Sequence, residues 1–275
     1  MLIDKTLRRL ANAGFSRISI PWAATINIGG VKIKMQLKGS IEWKLRFPLF
    51  SGGWEYYDLN QWIKLCRALP NGAVVDVGAN TGIYSLLSGV LNMNRRIYAF
   101  EPIPSIAAIL AKNIQKNNLY NIEVGCIAVS MRNEFVELSA PNRKDIFYSF
   151  SLCRDYYPTE TKQKYLVATI ALDTMMAELG PVSLVKIDVE GYESSVLAGM
   201  SEILRVNRPI ILFEVMSDTK PLTNDFLMRH FPGEYSFFLN GSLWTMEDIS
   251  LIPTKSPYVN IYAVPSEKLG MFENL

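Results

Sequence analysis

The chain has 275 residues, 49% hydrophobic and 20% charged, with a formal net charge of +2. This is the balance of a soluble globular protein with one large α/β domain and an N-terminal extension, or with two small domains. So small a net charge excludes a global field that would draw the chain onto nucleic acid, and no apolar run approaches the roughly 18 residues of a membrane span.

Residues 1–20 are broken by Asp4, Lys5, Arg8, Arg9 and Arg17 and lack the apolar core and cleavage site of a signal peptide. The expectation is a cytoplasmic protein whose basic first helix, near residues 3–14, leaves room for weak contact with a membrane surface. Cys66, Cys126 and Cys153 stand far apart with no C-x-x-C pair, and read as free thiols in a reducing compartment. His230 is the only histidine. A multi-histidine metal site is thereby excluded, no G-x-S-x-G elbow accompanies it, and its place beside Phe231-Pro232-Gly233 suggests a helix end.

In chain order, Thr25 to Leu37 alternates around Gly29-Gly30 as a tight hairpin does. Asp58 can cap a helix running to about Leu69, before Pro70-Asn71-Gly72. This first part, residues 1–70, reads as an extension of helix, β-hairpin and helix. From residue 71 to 275 the pattern is strand and helix in alternation. Ala73 to Val77 is an apolar strand interrupted by Asp76, as strands buried on both faces are. Ile83, Leu86, Leu87 and Val90 make a helical stripe. Arg96 to Phe100 is a second strand, Pro104 opens a helix, and Ile122 to Val129 holds a third strand. Between about residues 131 and 172 the rhythm is interrupted by a strand pair, Phe135 to Leu138 and Leu166 to Ile170. That pair flanks a loop of bases and aromatics that includes Arg143, Lys144, Tyr148 and Tyr156. Val182 to Ile187, one helix carrying Val196 to Leu204, Pro209 to Val215, and a closing pair (Tyr235 to Leu239 and Asn260 to Val264) follow. The implied fold is α/β and Rossmann-like: a doubly wound, mostly parallel sheet of about seven strands with an antiparallel closing strand.

Ligands of such sheets bind beyond the carboxyl ends of the strands. Asp76, Glu101, Asp188 and Glu214 fall at or near those ends. The turn Gly78-Ala79-Asn80-Thr81-Gly82 has Gly-x-x-x-Gly spacing, not the G-x-G-x-x-G of a pyrophosphate-binding turn. S-adenosylmethionine carries no phosphate. Asp76 suits its cationic end, and Glu101 can accept hydrogen bonds from two ribose hydroxyls. Lys186-Ile187-Asp188-Val189-Glu190-Gly191-Tyr192-Glu193 concentrates charge at a second strand-to-helix corner. Asp188, then Glu190, are the candidates for removing a proton from a hydroxyl acceptor, with Lys186 tuning either, while Glu193 can complete a capping arrangement. A divalent ion held by Asp188, Glu190 or Glu214 is chemically conceivable, but no water-rich loop of acids is evident, and no metal is assigned. The Asn/Asp-Pro-Pro-Tyr/Phe turn of many amino-methylating enzymes is replaced by Asp188-Val189-Glu190-Gly191, which favours an oxygen acceptor. Asn113, on the apolar face of its helix, must find partners and is expected to hold the loop after the second strand. Asp173 reads as a helix N-cap.

Val75 to Gly82, Tyr98-Ala99-Phe100-Glu101-Pro102, Asn113 and Asn117, Leu172-Asp173, Lys186 to Glu193, and Arg208-Pro209 followed by Glu214 together resemble the FkbM family of class I methyltransferases. The resemblance spans about residues 72–216. It implies S-adenosylmethionine as donor, S-adenosylhomocysteine as product, and O-methylation of a sugar, glycolipid or polyketide-type hydroxyl. Asp76, Gly78, Asn80 and Glu101 match the family's cofactor motif; Ala79, Thr81, Gly82, Pro102 and Ala128 complete the expected cofactor contacts. Asp188, Glu190 and Glu193 match its acidic motif. The expected acceptor contacts are Tyr148, Tyr192 and Glu214, with Tyr192 standing where many relatives have a small residue. The expected acceptor is therefore a small molecule or glycoconjugate, not nucleic acid. A lipid or polyketide hydroxyl and a cofactor-binding scaffold without turnover are the alternatives.

Overall fold

The structure, a computed structural model, describes residues 23–36, 55–141, 162–216, 227, 229–231, 235–244 and 258–275. The helix expected near residues 3–14 and the loop that carries Tyr148 lie outside the described residues.

The first hairpin pairs β1 (Ala23–Ile28) with β2 (Val31–Gln36). Gly29 and Gly30 have φ of 53° and 83°, the two left-handed positions that a two-residue turn requires. Alternation then sends Ile26, Ile28, Val31, Ile33 and Met35 into the core and leaves Lys32 and Lys34 outside. In α1 (Tyr56–Ala68), Glu55 occupies the cap position in a left-handed conformation. The helix thus begins before Asp58, which is not its cap. Asp58 is buried and accepts a hydrogen bond from Asn260 Nδ2 at 3.0 Å.

The alternating part begins with β3 (Ala73–Val77), α2 (Ile83–Leu91), β4 (Ile97–Phe100), α3 (Pro104–Lys116) and β5 (Ile122–Gly125). Next, β6 (Ala128–Val129), β7 (Phe135–Pro141) and β8 (Lys162–Ile170) form a small separate sheet in the order β6-β8-β7. After α4 (Met176–Leu179) come β9 (Val182–Ile187), α5 (Glu193–Ala198), α6 (Ser201–Asn207) and β10 (Ile210–Met216). The chain closes with β11 (Tyr235–Leu239), β12 (Ser242–Trp244), β13 (Tyr258–Pro265) and α7 (Leu269–Glu273). The main sheet runs β12-β11-β13-β10-β9-β3-β4-β5. Strands β5, β4, β3, β9 and β10 are parallel, and β13 lies antiparallel between β10 and β11. This is the expected doubly wound sheet, with one short edge strand added. That strand, β12, turns back from β11 over Asn240 and Gly241, both at positive φ. Among the described residues no helix is long and apolar enough to cross a membrane.

Period-two alternation gives the sheet two buried faces. Val74, Ile97, Leu184, Leu212 and Tyr262 pack with the β1–β2 hairpin, α1, α2 and α7. Val75, Val77, Tyr98, Val185, Ile187, Phe213 and Ile261 pack against α5 and α6 on the other side. Asp76, Lys186, Glu214 and Asn260 share the parity of the first face, so their side chains emerge toward α1 and α2.

Several local expectations are corrected. The third strand splits after Gly125, and Ala128 belongs to the small sheet, opposite Thr169. The single helix expected over Val196 to Leu204 is two helices broken at Gly199, where a Cβ would stand 2.0 Å from the Ser130 carbonyl oxygen. Asp173 caps a helix, but a distant one: its carboxylate accepts the backbone N–H groups of Glu202 and Ile203 in α6, both at 3.0 Å. Asn113 is fully buried and holds the glycine turn after β3. Its Nδ2 donates to the Thr81 carbonyl at 2.9 Å while its Oδ1 accepts from the Gln36 N–H of the hairpin at 2.6 Å. Asn117, one helical turn on, brackets Lys34 through both its N–H and its carbonyl. The hairpin is therefore tied to the helix that supports the glycine turn. His230 lies near Ser194, its Nε2 3.0 Å from the hydroxyl oxygen.

Gly78 has φ of 77°, and a Cβ there would stand 1.8 Å from the backbone oxygen of Asp188. Gly30 has φ of 83° with nothing within 4 Å of its Cβ position. Gly30→Ala is therefore expected to cost only the backbone penalty, about 1–2 kcal/mol, whereas Gly78→Ala adds a collision with main chain and should cost several kcal/mol more. Denaturant unfolding of the two variants checks this; equal losses would show that the two corners can separate.

Candidate active site

The order reverses between β3 and β9, and the carboxyl ends of the parallel strands β3, β4, β9 and β10 lie along one edge of the sheet, where ligands of such sheets bind. Asp76 and Lys186 lie in register on β3 and β9, and Glu214 faces Asn260 across β10 and β13.

The turn after β3 has its backbone donors committed inside the fold. The N–H groups of Gly78 and Ala79 donate to the Phe100 carbonyl at 3.0 and 2.9 Å. Asn80 N–H donates to Glu101 Oε2 at 3.0 Å, Thr81 N–H to Asn80 Oδ1 at 2.7 Å, and Gly82 N–H to the Ala79 carbonyl at 2.8 Å. A phosphate-cradling loop presents such amides to its ligand; this turn suits a nucleoside ligand without phosphate. Asn80 holds φ of 51°, a left-handed conformation that asparagine tolerates.

Glu101 is buried beside this turn. Its Oε1 accepts the Ile103 N–H at 2.9 Å while Oε2 accepts Asn80, and each oxygen retains a lone pair for a further donor. Burial pushes its carboxyl up to about 7, against the lowering effect of the Ile103 and Asn80 amides. Asp76 is buried too. Its Oδ2 accepts both the N–H and the hydroxyl of Ser85 in the first turn of α2, and burial raises it to about 6. Ala79 and Thr81 are buried in the turn and Pro102 follows Glu101 half-exposed. Ala128 is buried with Ile103 and Ile106 beneath the Glu101 loop.

Around the second corner, one ligand oxygen each from Asp188, Glu190 and Glu214 lies within 4.8 Å of the others. At an effective dielectric constant of ~20, two unit charges at that distance repel by roughly 3 kcal/mol. Glu214 is only 8% exposed, and burial first, then Asp188 and Glu190, raises its pKa well above the ordinary value. Lys186 is 1% exposed, with Nζ 3.5 Å from Asp188 Oδ2 and 3.4 Å from Asn260 Oδ1. Burial disfavours its cation, but Asp188, Glu55, Glu214 and Asp58 outweigh that and raise its pKa. Glu193, expected to complete a capping arrangement, bonds backward instead: as the first residue of α5, its Oε1 accepts the N–H groups of Val189 and Gly191 at 3.3 and 3.1 Å and so clamps the corner. Burial raises it to about 7. Glu190, at φ of 54°, is turned by this clamp. Tyr192 is half-buried at the start of α5.

Four residues that the motifs did not indicate complete the site. Tyr84 lies beneath Lys186, whose Nζ is 5.3 Å from the ring centroid, a cation–π arrangement. Its hydroxyl donates to Glu55 Oε2 at 2.6 Å, and burial raises Glu55 to about 7. Asp58, also raised by burial, is joined to Lys186 through the amide of Asn260. Asn260 was legible as the partner of Glu214 once β10 and β13 pair; nothing in the local sequence marks Glu55.

The family model described as "Methyltransferase FkbM domain" matches residues 76–234. A curated relative, "31-O-demethyl-FK506 methyltransferase FkbM" of Streptomyces tacrolimicus, is 26% identical over 165 residues, 48% of this chain and 61% of its own length. The chain thus spans about three-fifths of that relative. Among solved structures, an FkbM methyltransferase from Methylobacillus flagellatus KT has a TM-score of 0.45 at 16% identity, covering 70% of this chain and 43% of that one. A SAM-dependent methyltransferase from Agrobacterium tumefaciens has a TM-score of 0.49 at 8% identity, covering 91% and 72%. With the family model matched over more than half of its residues, this chain belongs to the FkbM family of S-adenosylmethionine-dependent methyltransferases.

Proposed function

We propose that the protein methylates a hydroxyl oxygen of a sugar or glycoconjugate. The observation that carries the reading is the convergence of Asp188 and Glu190 next to the cofactor turn, where a deprotonating carboxylate is needed and an amine-receiving Pro-Pro turn is lacking. Bound S-adenosylmethionine supplies a methyl already activated by its sulfonium. Glu101 accepts the ribose hydroxyls, and Asn80 holds Glu101 in place. Asp76 supports the first turn of α2 and adds negative charge near the cationic end of the cofactor. Asp188 receives the acceptor's proton as the oxygen–methyl bond forms and the sulfur–methyl bond breaks, its electron pair passing to sulfur. Glu190 and Glu214 line the acceptor side with Tyr192. Lys186 is enclosed, so it acts by fixing Asp188 and not by touching the acceptor. The protein must mainly hold the nucleophile in line, at about 3–3.5 Å from the methyl carbon. A second reading, a natural-product hydroxyl, is favoured by the name of the Streptomyces tacrolimicus relative, which specifies an oxygen of FK506.

Calorimetric titration with S-adenosylhomocysteine, with NAD as control, should show micromolar binding of the former alone. Glu101→Ala should weaken it by about 1–3 kcal/mol through lost ribose bonds; an unaltered dissociation constant would place the ribose elsewhere. Because burial holds the Glu101 carboxyl at about 7, a proton competes with the ribose hydroxyls in mild acid. Affinity should therefore rise from about pH 6 to about pH 8, and Glu101→Gln should lose most of that slope. A wild-type affinity flat over this range contradicts the assignment. Asp188→Asn should lower turnover by ~10²–10⁴ and leave S-adenosylhomocysteine affinity within a few-fold. Unchanged turnover, read with sugar-nucleotide, glycolipid and macrolide acceptors, would remove Asp188 from the mechanism.

A further inference from the structure

The three carboxylates at the mouth of the second corner form more than an acidic patch. Asp188 and Glu190 come from the turn after β9, while Glu214 comes from the neighbouring β10. Their nearest ligand oxygens lie within 4.8 Å of one another. Three oxygens spread evenly around a calcium ion, at about 2.3–2.6 Å from it, stand about 4.0–4.5 Å apart, and those around magnesium about 3.5 Å apart. The 4.8 Å ceiling lies close to the calcium spacing, so small side-chain rotations bring all three carboxylates onto one ion.

Glu214 supplies an independent indication. It is 8% exposed, yet no hydrogen bond or ion pair to its carboxylate occurs among the described residues, although buried carboxylates are normally bonded. Its side chain is directed at Asp188 and Glu190. The nearby ammonium does not resolve this. Lys186 bonds Asp188 and Asn260, and its single charge is shared among Asp188, Glu55, Glu214 and Asp58.

We infer that Asp188, Glu190 and Glu214 bind a hard divalent cation, of the magnesium, manganese or calcium class. The all-oxygen donor set selects that class over softer metals. Three protein ligands leave coordination positions open, and those positions face the acceptor side, where vicinal hydroxyls of a polyol could fill them. Binding of the ion does not depend on the methyl acceptor proposed above.

The test is titration of the full chain with Mn²⁺, followed by electron paramagnetic resonance, with Mg²⁺ and Ca²⁺ as competitors. One saturable site per chain is expected, displaced by at least one of the competitors. Glu214→Gln should weaken Mn²⁺ at least tenfold while leaving S-adenosylhomocysteine binding within a few-fold. If that buried change unfolds the chain, the partly exposed Asp188→Asn serves in its place with the same expected loss. A folded protein that binds S-adenosylhomocysteine but shows no saturable Mn²⁺ or Ca²⁺ site overturns the inference and leaves the methyltransfer reading intact. So does an affinity unchanged by either variant. Saturable Mn²⁺ binding in a folded protein that does not bind S-adenosylhomocysteine supports the ion site and counts against the methyltransfer reading.

Discussion

Two strand-to-helix corners meet where no side chain fits between them. Gly78 turns out of β3 so close to Asp188 that a Cβ would stand 1.8 Å from the Asp188 backbone oxygen, and the Asp188 N–H donates to the Val77 carbonyl at 3.0 Å. This contact places the Gly78–Gly82 turn beside Asp188 and Glu190. Glycine at this position is thus explained by chain-to-chain approach at positive φ, before any ligand is considered. Gly82 shows the same logic on the other side of the turn, where a Cβ would meet Leu110 Cδ1 at 2.2 Å. The turn is supported from outside by Asn113, whose amide joins it to the hairpin. A segment that precedes the family-matched residues therefore helps to fix the Gly78–Gly82 turn.

Lys186 organises the opposite wall. A fully buried ammonium persists only if paired and hydrogen-bonded, and removing one partner of such a group typically costs about 3–5 kcal/mol. Its neighbours come from separate parts of the chain: Tyr84 from α2, Asp188 from the corner after β9, Asn260 from β13. Through the Asn260 amide, oriented with its oxygen to Lys186 and its Nδ2 to Asp58, the first turn of α1 is joined to the same network. The cation is thus a junction of strand, helix and extension, and Asp188 keeps a defined position while its side chain remains 30% exposed to the cleft.

Much of this was legible in the sequence because parallel strands buried on both faces leave few reasons for an acid. Asp76 inside Ala73–Val77, Glu101 after Phe100 and Asp188 after Ile187 each interrupt an apolar run at a carboxyl end, and the fold brings them to one cleft. What stayed hidden depends on long-range contacts. Asp173 has the local pattern of a cap, yet its hydrogen bonds go to α6. Asp58 resembled a cap because helix starts are read from one residue and its followers, whereas Asn260, 202 positions away, decides its role. The break at Gly199 follows from its approach to Ser130, which no helical periodicity can report. The three-carboxylate cluster could not be seen as a loop of acids, since Glu214 arrives from a different strand.

The same burial that shapes the site sets its charge. Asp76 is raised to about 6, and Glu101, Glu193 and Glu55 to about 7, in each case by burial first. For acids raised on folding, the folded protein retains protons that the unfolded chain has released. The stability they allow is fullest below the ordinary carboxylate values and is lost as the pH climbs through about 6 to 7. Near neutrality the fold therefore carries a standing cost in these acids. A cation bound beside them would favour the charged carboxylates and offset the cost, which would link ligand affinity to fold stability through the same groups. The Gly78–Gly82 turn has no amides left for a phosphate, and its surroundings are acidic. Both properties suit a cationic, phosphate-free nucleoside, as S-adenosylmethionine is.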